Sequence, residues 1–166
     1  MRTSTRRMST VVTAVGLIGF GFGTGSAAAE VANGGTSPLR AVYRSCNFEV
    51  AKYVDASGFG SARATIGTGG GNTVTADVFL AIGRPNTPYQ VRLIQGPRPG
   101  TQRCNAGDPG VVSGVLNTDG NGTGSVVLHA PRQSGATNAW VFVEGPPDPG
   151  EIRGEFYTSE VLTSIT

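Results

Sequence analysis

The stretch TVTADVFLAI, Thr73–Ile82, decides the fold of this 166-residue chain. Every second residue in it is apolar, so an extended strand would bury one face and leave the other in solvent. The apolar set is Val74, Ala76, Val78, Leu80 and Ile82, and the intervening Thr75 and Asp77 are polar. The stretch therefore predicts a half-buried β-strand.

Short runs of similar character lie on either side and are separated by Gly, Pro, Asn and Asp. No 11-residue window without Gly or Pro keeps a helical period, so we expect little helix. The further predicted strands are Phe48–Val54, Ser61–Ile66, Tyr89–Gln95, Val111–Leu116, Gly124–Ala130, Ala139–Glu144, Ile152–Thr158 and a short Val161–Ile165. Asn117–Gly122 has the composition of a hairpin tip. About eight such strands predict an all-β domain of two packed antiparallel sheets.

The first 29 residues have the pattern of a signal peptide. A basic start with Arg6 and Arg7 precedes an apolar run over 11–25, and small residues end at Ala29 before Glu30. The run is too short and too rich in glycine to favour a membrane anchor. We therefore expect a signal peptide over 1–29, a single mature domain over 30–166 without a membrane span, and a location in the cell envelope or outside the cell. Both the general and the twin-arginine export routes stay open.

Removal of the signal peptide changes the charge balance of the chain. Three of the 13 basic residues lie in it and none of the 11 acidic ones does, so the mature chain has 10 basic and 11 acidic side chains. No basic cluster is left to neutralise several phosphates, which disfavours nucleic acid as a partner.

The chain has two cysteines, Cys46 and Cys104. An even number in an exported protein favours one disulfide over reactive thiols. Neither cysteine has a histidine or a second cysteine at ligand spacing, so we expect no metal site and no cofactor.

Two groups of residues are candidates for chemistry or binding. If Ile152–Thr158 is a strand, Glu151 and Glu155 share a face about 6.6–7 Å apart, a separation that a glycosidase could use and that a solvated salt-bridge ladder also shows. Asp148 lies close by in sequence. Trp140 and Phe142 share one face of their strand, and this face is either core or an exposed aromatic surface for a ligand.

Four segments resemble the chordin-repeat (CHRD) family. The motif residues Gly150, Glu151, Ile152, Arg153 and Gly154 resemble its closing motif, and Trp140–Glu144 resembles the strand before it. Leu93–Pro97 resembles a His-Ile-His-Gly-Pro stretch, and Asp119–Ser125 a family hairpin. The resemblance covers about residues 60–158 and implies a Greek-key β-sandwich related in fold to copper/zinc superoxide dismutase. Leu93 and Gln95 stand where the family has histidines, which argues against metal chemistry.

His129, the one histidine of the chain, is out of phase with the apolar Leu128 and should face solvent. No Gly-x-Ser-x-Gly motif occurs. The leading hypothesis is an exported, non-enzymatic module with a binding or structural role and an unknown protein or glycan partner outside the cell. The alternatives are a carrier of a small apolar ligand, between the sheets or under the loop 96–110, and a weak hydrolase that uses the C-terminal carboxylates.

Overall fold

Nine β-strands form the regular structure of residues 34–166, the part of the chain that this computed structural model describes. They are β1 Gly35–Arg40, β2 Ser61–Gly69, β3 Thr73–Ala81, β4 Pro88–Gly96, β5 Val111–Asn117, β6 Gly124–Pro131, β7 Asn138–Glu144, β8 Phe156–Ser159 and β9 Thr163–Ser164. The described part contains no α-helix, and so no helix that is long and apolar enough to cross a membrane. The predicted signal peptide over 1–29 lies outside the described residues.

All strand pairs are antiparallel, and eight strands follow one hydrogen-bonded path in the order β5-β4-β7-β8-β1-β2-β3-β6, with β9 beside β7. The two ends of the path also meet, because a Cβ atom on Gly114 of β5 would lie 2.6 Å from Cδ2 of Leu128 in β6. The sheet therefore curls almost into a barrel. The predicted all-β antiparallel class is confirmed, whereas the division into two packed sheets with Greek-key order stays a prediction.

The stretch 73–82 forms the strand that its pattern predicts, with one exception at its end. Val74, Ala76, Val78 and Leu80 are fully buried, as expected of the inward face. Ile82 is 71% exposed, because the strand ends at Ala81 and the chain then turns through a positive φ of 59° at Ile82. The alternation therefore predicts the buried face correctly and extends it one residue too far.

Apolar residues pack on both faces of the sheet. The larger cluster fills the interior and draws on most strands, while the smaller one lies against the outer face of β7 and contains Ile94, Cys104, Trp140, Phe142 and Phe156. Tyr43 and Phe48, from the long segment between β1 and β2, pack against this second cluster. β7 is thus covered on both sides, which explains why both of its faces are apolar.

Two of the predicted strands are wrong in part or in whole. Phe48–Val54 is irregular, because Phe48 takes a φ of +71° and its ring packs at 5.4 Å from that of Trp140. A strand at Gly35–Arg40, which the pattern did not indicate, takes the place next to β2.

The predicted strand over 152–158 begins only at Phe156. Gly154 is buried so closely against the carbonyl groups of Gly145 and Pro146 that a Cβ atom there would overlap them. This approach places residues 150–155 in a loop, so the predicted shared strand face of Glu151 and Glu155 does not exist.

Candidate functional site

The predicted disulfide is present. Cys46 and Cys104 are joined across 58 positions of sequence, and the bond ties the segment before β2 to the irregular stretch 97–110, hereafter the disulfide loop. Arg92 of β4 supports the same point, because its Nη1 donates to the Cys104 carbonyl at 3.2 Å and its Nη2 lies 3.1 Å from a Glu144 carboxylate oxygen. A disulfide is typical of proteins that fold in an oxidising compartment outside the cytoplasm.

Arg98 organises the interior of the disulfide loop. Its side chain donates from Nη1 to the Pro109 carbonyl at 2.8 Å and from Nη2 to the Arg103 carbonyl at 2.5 Å. The residue is only 8% exposed, and its Nε has no hydrogen-bond partner among the described residues. Burial lowers the pKa of Arg98 from its ordinary value, and the carboxylate of Asp108 partly opposes this shift.

Arg98 forms no ion pair within the described part of the chain, where three arginine–carboxylate pairs occur elsewhere. Arg44 provides a comparison, because all three of its side-chain nitrogens donate to carbonyl groups, those of Ser159, Phe48 and Glu160. A buried cation that forms no ion pair and leaves a donor unpaired is costly. The guanidinium of Arg98 therefore has one nitrogen without a hydrogen-bond acceptor, whereas every nitrogen of the Arg44 guanidinium has one.

A surface cavity of about 190 Å³, hereafter the Arg98 cavity, lies between the disulfide loop and the turn that joins β6 to β7. A second cavity of about 340 Å³, the adjoining cavity, shares Gln95, Gln133 and Ser134 with it and adds His129 and Arg132. No aspartate or glutamate lines either one. The wall of this candidate site combines polar and apolar side chains, and the charged side chains in it are arginines.

Gln95 holds the two sides of the site together. It is 3% exposed, its Nε2 donates to the Pro131 carbonyl at 2.9 Å, and its Oε1 accepts from the backbone N–H of Gln133 at 2.8 Å. Leu93 is fully buried in the interior cluster. Leu93 and Gln95 therefore serve packing and loop attachment. No group of His, Cys, Asp and Glu suited to a metal occurs in residues 34–166.

The three C-terminal carboxylates have different surroundings. Glu151 is exposed, and Asp148 pairs with Arg84 at 2.7 Å. Glu155 accepts hydrogen bonds from the hydroxyl groups of Tyr89, at Oε1, and of Tyr157, at Oε2 at 2.8 Å. We call these three residues the Glu155 cluster. Since both tyrosines are essentially buried, the cluster closes one end of the sheet as a structural unit.

Residues 150–154, whose sequence resembles the CHRD closing motif, are mostly exposed, and Gly154 alone is buried. Gly150 has a φ of +90° with open space around it, Glu151 is exposed, and Ile152 is 94% exposed. The guanidinium of Arg153 lies over the ring of Tyr43, 4.3 Å from its centroid. None of these residues lines the Arg98 cavity.

The aromatic residues of β7 are core residues. Trp140 is 1% exposed and Phe142 is 2% exposed, and Arg92 covers the Phe142 ring. Trp140 and Phe142 therefore belong to the core and do not form an exposed aromatic surface for a ligand. His129 is exposed, as its phase predicts.

Sequence reasoning missed Arg98, Gln133 and Ser134. The signal that could have found the region was the length of the irregular stretch 96–110 with a cysteine inside it. Functional residues often lie on such loops when a rigid scaffold holds them. The burial of one particular arginine, however, depends on contacts that no local pattern encodes.

The Glu155 cluster makes the stability of the protein depend on pH. Burial, and then the hydrogen bond to Glu155, raises the pKa of Tyr157 above its ordinary value. The tyrosine ionises near pH 10 in the unfolded chain and stays protonated there in the folded chain. The stabilisation that follows from this difference is complete below pH 10. It is lost as the pH rises above 10, at up to about 1.4 kcal/mol per pH unit. We expect the Tyr157→Phe variant to lose less stability than the wild type between pH 9 and pH 11, measured by urea unfolding.

The matched control for this measurement is Tyr53→Phe, because Tyr53 is 98% exposed. That variant should follow the wild-type pH profile. An unchanged profile for Tyr157→Phe would contradict the assignment.

No protein-family model, no curated protein and no solved structure matches this chain.

Proposed function

We propose that this protein is an exported, non-catalytic binding module whose binding end is the Arg98 cavity. The signal-peptide pattern and the disulfide between Cys46 and Cys104 support export. The partner is a protein, a glycan or a smaller molecule outside the cell.

The buried and incompletely satisfied guanidinium of Arg98 is the observation that carries the proposal. Arg98 has an Nε without an acceptor and lines a cavity that the disulfide loop holds in place. A ligand that supplies the missing acceptor or counter-charge would remove part of the cost of burying this charge. Concave sites with a few convergent polar groups are where proteins usually bind small ligands.

The strand order supports a Greek-key sandwich of the CHRD type as the scaffold. β4 neighbours β5, and β3 neighbours β6. The close approach of Gly114 in β5 to Leu128 in β6 would then complete the order β3-β6-β5-β4. Three consecutive strands beside an earlier one form the Greek-key pattern.

A carrier of a small ligand is the second candidate function, and the position of the cavity favours it. The cavity lies against the disulfide loop, which is where the sequence predicts the ligand of a carrier. Its lining, however, includes polar and charged side chains, those of Arg98, Gln102, Gln133 and Ser134. The cargo would therefore be polar. A hydrolase has no comparable support, because Glu155 is held by two tyrosines and Glu151 lies on an exposed loop.

Native and denaturing mass spectrometry of protein from the producing cells tests this function. We expect a bound organic mass on the wild type that is reduced on Arg98→Gln and retained on Arg44→Gln. The denaturing spectrum should show cleavage after Ala29 and the loss of two hydrogens for the Cys46–Cys104 bond. Wild-type protein without any bound mass that also hydrolyses esters or glycosides would contradict the proposal.

A further inference from the structure

We propose that the Arg98 cavity binds the carboxylate group of a small polar molecule. This inference rests on the proposed binding function and specifies its ligand. A carboxylate oxygen is an acceptor for the unpaired Nε–H, and its charge compensates the guanidinium.

The charges around the two cavities favour an anion. Arg98 lines the first and Arg132 the second, and neither wall contains an acidic side chain. Arg132 donates from Nη1 to the Ile165 carbonyl at 2.9 Å and forms no ion pair in the described structure. Two arginines that form no ion pair and lie at adjoining cavities attract a negatively charged group, and the nearby Asp108 offsets only part of the charge of Arg98.

The hydrogen bonds that Arg98 already makes favour a singly charged ligand group over a phosphate dianion. The Nη1 and Nη2 atoms of Arg98 already donate to carbonyl oxygens, whose partial negative charges weaken its field. Its Nε is the position left without an acceptor. A planar carboxylate suits one guanidinium edge, whereas tight phosphate sites usually combine several full donors.

The other polar side chains of the lining favour a polar ligand. Gln102, Gln133 and Ser134 present amide and hydroxyl groups, which match hydroxyl or amide groups on the ligand. Since Nε is buried, a ligand reaches it only if a wall of the cavity opens, and the turn 133–136 forms one of these walls. That turn is attached to β4 through the Gln133–Gln95 hydrogen bond.

The test uses two sugars that differ at one carbon. Galacturonate carries a carboxylate where galactose has a hydroxymethyl group. We expect galacturonate to shift the amide resonances of Gly96, Arg98, Ser134 and Gly135 in the mature wild-type protein, with an affinity at least about tenfold above that of galactose. The galacturonate affinity should also fall as sodium chloride is added.

Variants then connect the binding to Arg98. Arg98→Gln should lower the galacturonate affinity about tenfold or more, and Arg44→Gln, which removes a hydrogen-bonded arginine outside the cavity, should leave it unchanged. If Arg98→Gln fails to fold, the comparison of the two sugars and the salt dependence on the wild type still decide the question.

The outcomes separate this inference from the proposed function. Equal affinity for both sugars, no binding of either, or tighter binding of inorganic sulfate or phosphate than of galacturonate and acetate would overturn the carboxylate assignment. A neutral organic mass on the native protein, displaced by none of these anions, would preserve the binding function and overturn the inference alone.

Discussion

Replacing both Cys46 and Cys104 by serine is expected to lower the free energy of unfolding by as much as about 4 kcal/mol. The bond closes a span of 58 positions, and the unfolded chain gains the corresponding loop entropy when the bond is lost. Such a loss is a large part of the 5–15 kcal/mol that is typical of folded domains. Urea unfolding at neutral pH measures it.

The same variant should lose order locally before it unfolds. Cys104 belongs to the outer cluster on β7, and the disulfide loop also provides one wall of the Arg98 cavity. We therefore expect amide exchange to become faster in residues 97–110 under conditions where the interior strands remain folded, and galacturonate binding to weaken. Exchange of β2 and β3 amides serves as the internal reference.

A reducing agent provides the control for the cysteine variant. It should destabilise the wild type and have no effect on the double serine variant. Equal stability of the variant and the oxidised wild type would show that native contacts alone hold the loop, contrary to this prediction.

Replacing Glu155 by alanine is expected to cost about 3 kcal/mol. The change removes the acceptor of two buried tyrosine hydroxyl groups, those of Tyr89 and Tyr157, and each unsatisfied buried group costs about 1–3 kcal/mol. Arg84 would also lose the acceptor at Oε1 for its backbone N–H. Glu155→Gln keeps one acceptor oxygen and should cost less, about 1 kcal/mol.

Glu151→Ala is the matched control, because Glu151 lies in the same motif and is exposed. Its effect on the free energy of unfolding should stay within about 0.5 kcal/mol. Similar losses for Glu151→Ala and Glu155→Ala, or no loss for Glu155→Ala, would contradict the structural role of the Glu155 cluster.

The alternation of apolar and polar residues was a reliable guide where a strand has one buried face. It identified the inward residues of β3 and the exposure of His129. It failed for Phe48–Val54 and for the start of β8, because the conformations there follow from a disulfide, an aromatic contact and the close packing of Gly154. Those partners are distant in sequence, so a local pattern does not contain them.

The sequence indicated the loop that contains the candidate site but not the residues that form it. The length of the stretch 96–110 and its cysteine marked the loop, yet they did not distinguish Arg98 from its neighbour Arg103. Arg98 is 8% exposed, whereas Arg103 is exposed and contributes its carbonyl oxygen to Arg98. The difference arises from the path of the folded loop.

The amino-acid sequence by itself determined the all-β class, the inward face of β3 and the pairing of the two cysteines. These depend on side-chain periodicity and on the number of thiols, both of which are local or countable. Only the tertiary structure decided that Glu155 closes an end of the sheet and that Arg98 is buried with its Nε unpaired. Burial and hydrogen bonding at these residues are set by segments far apart in the chain, which meet only when the sheet closes.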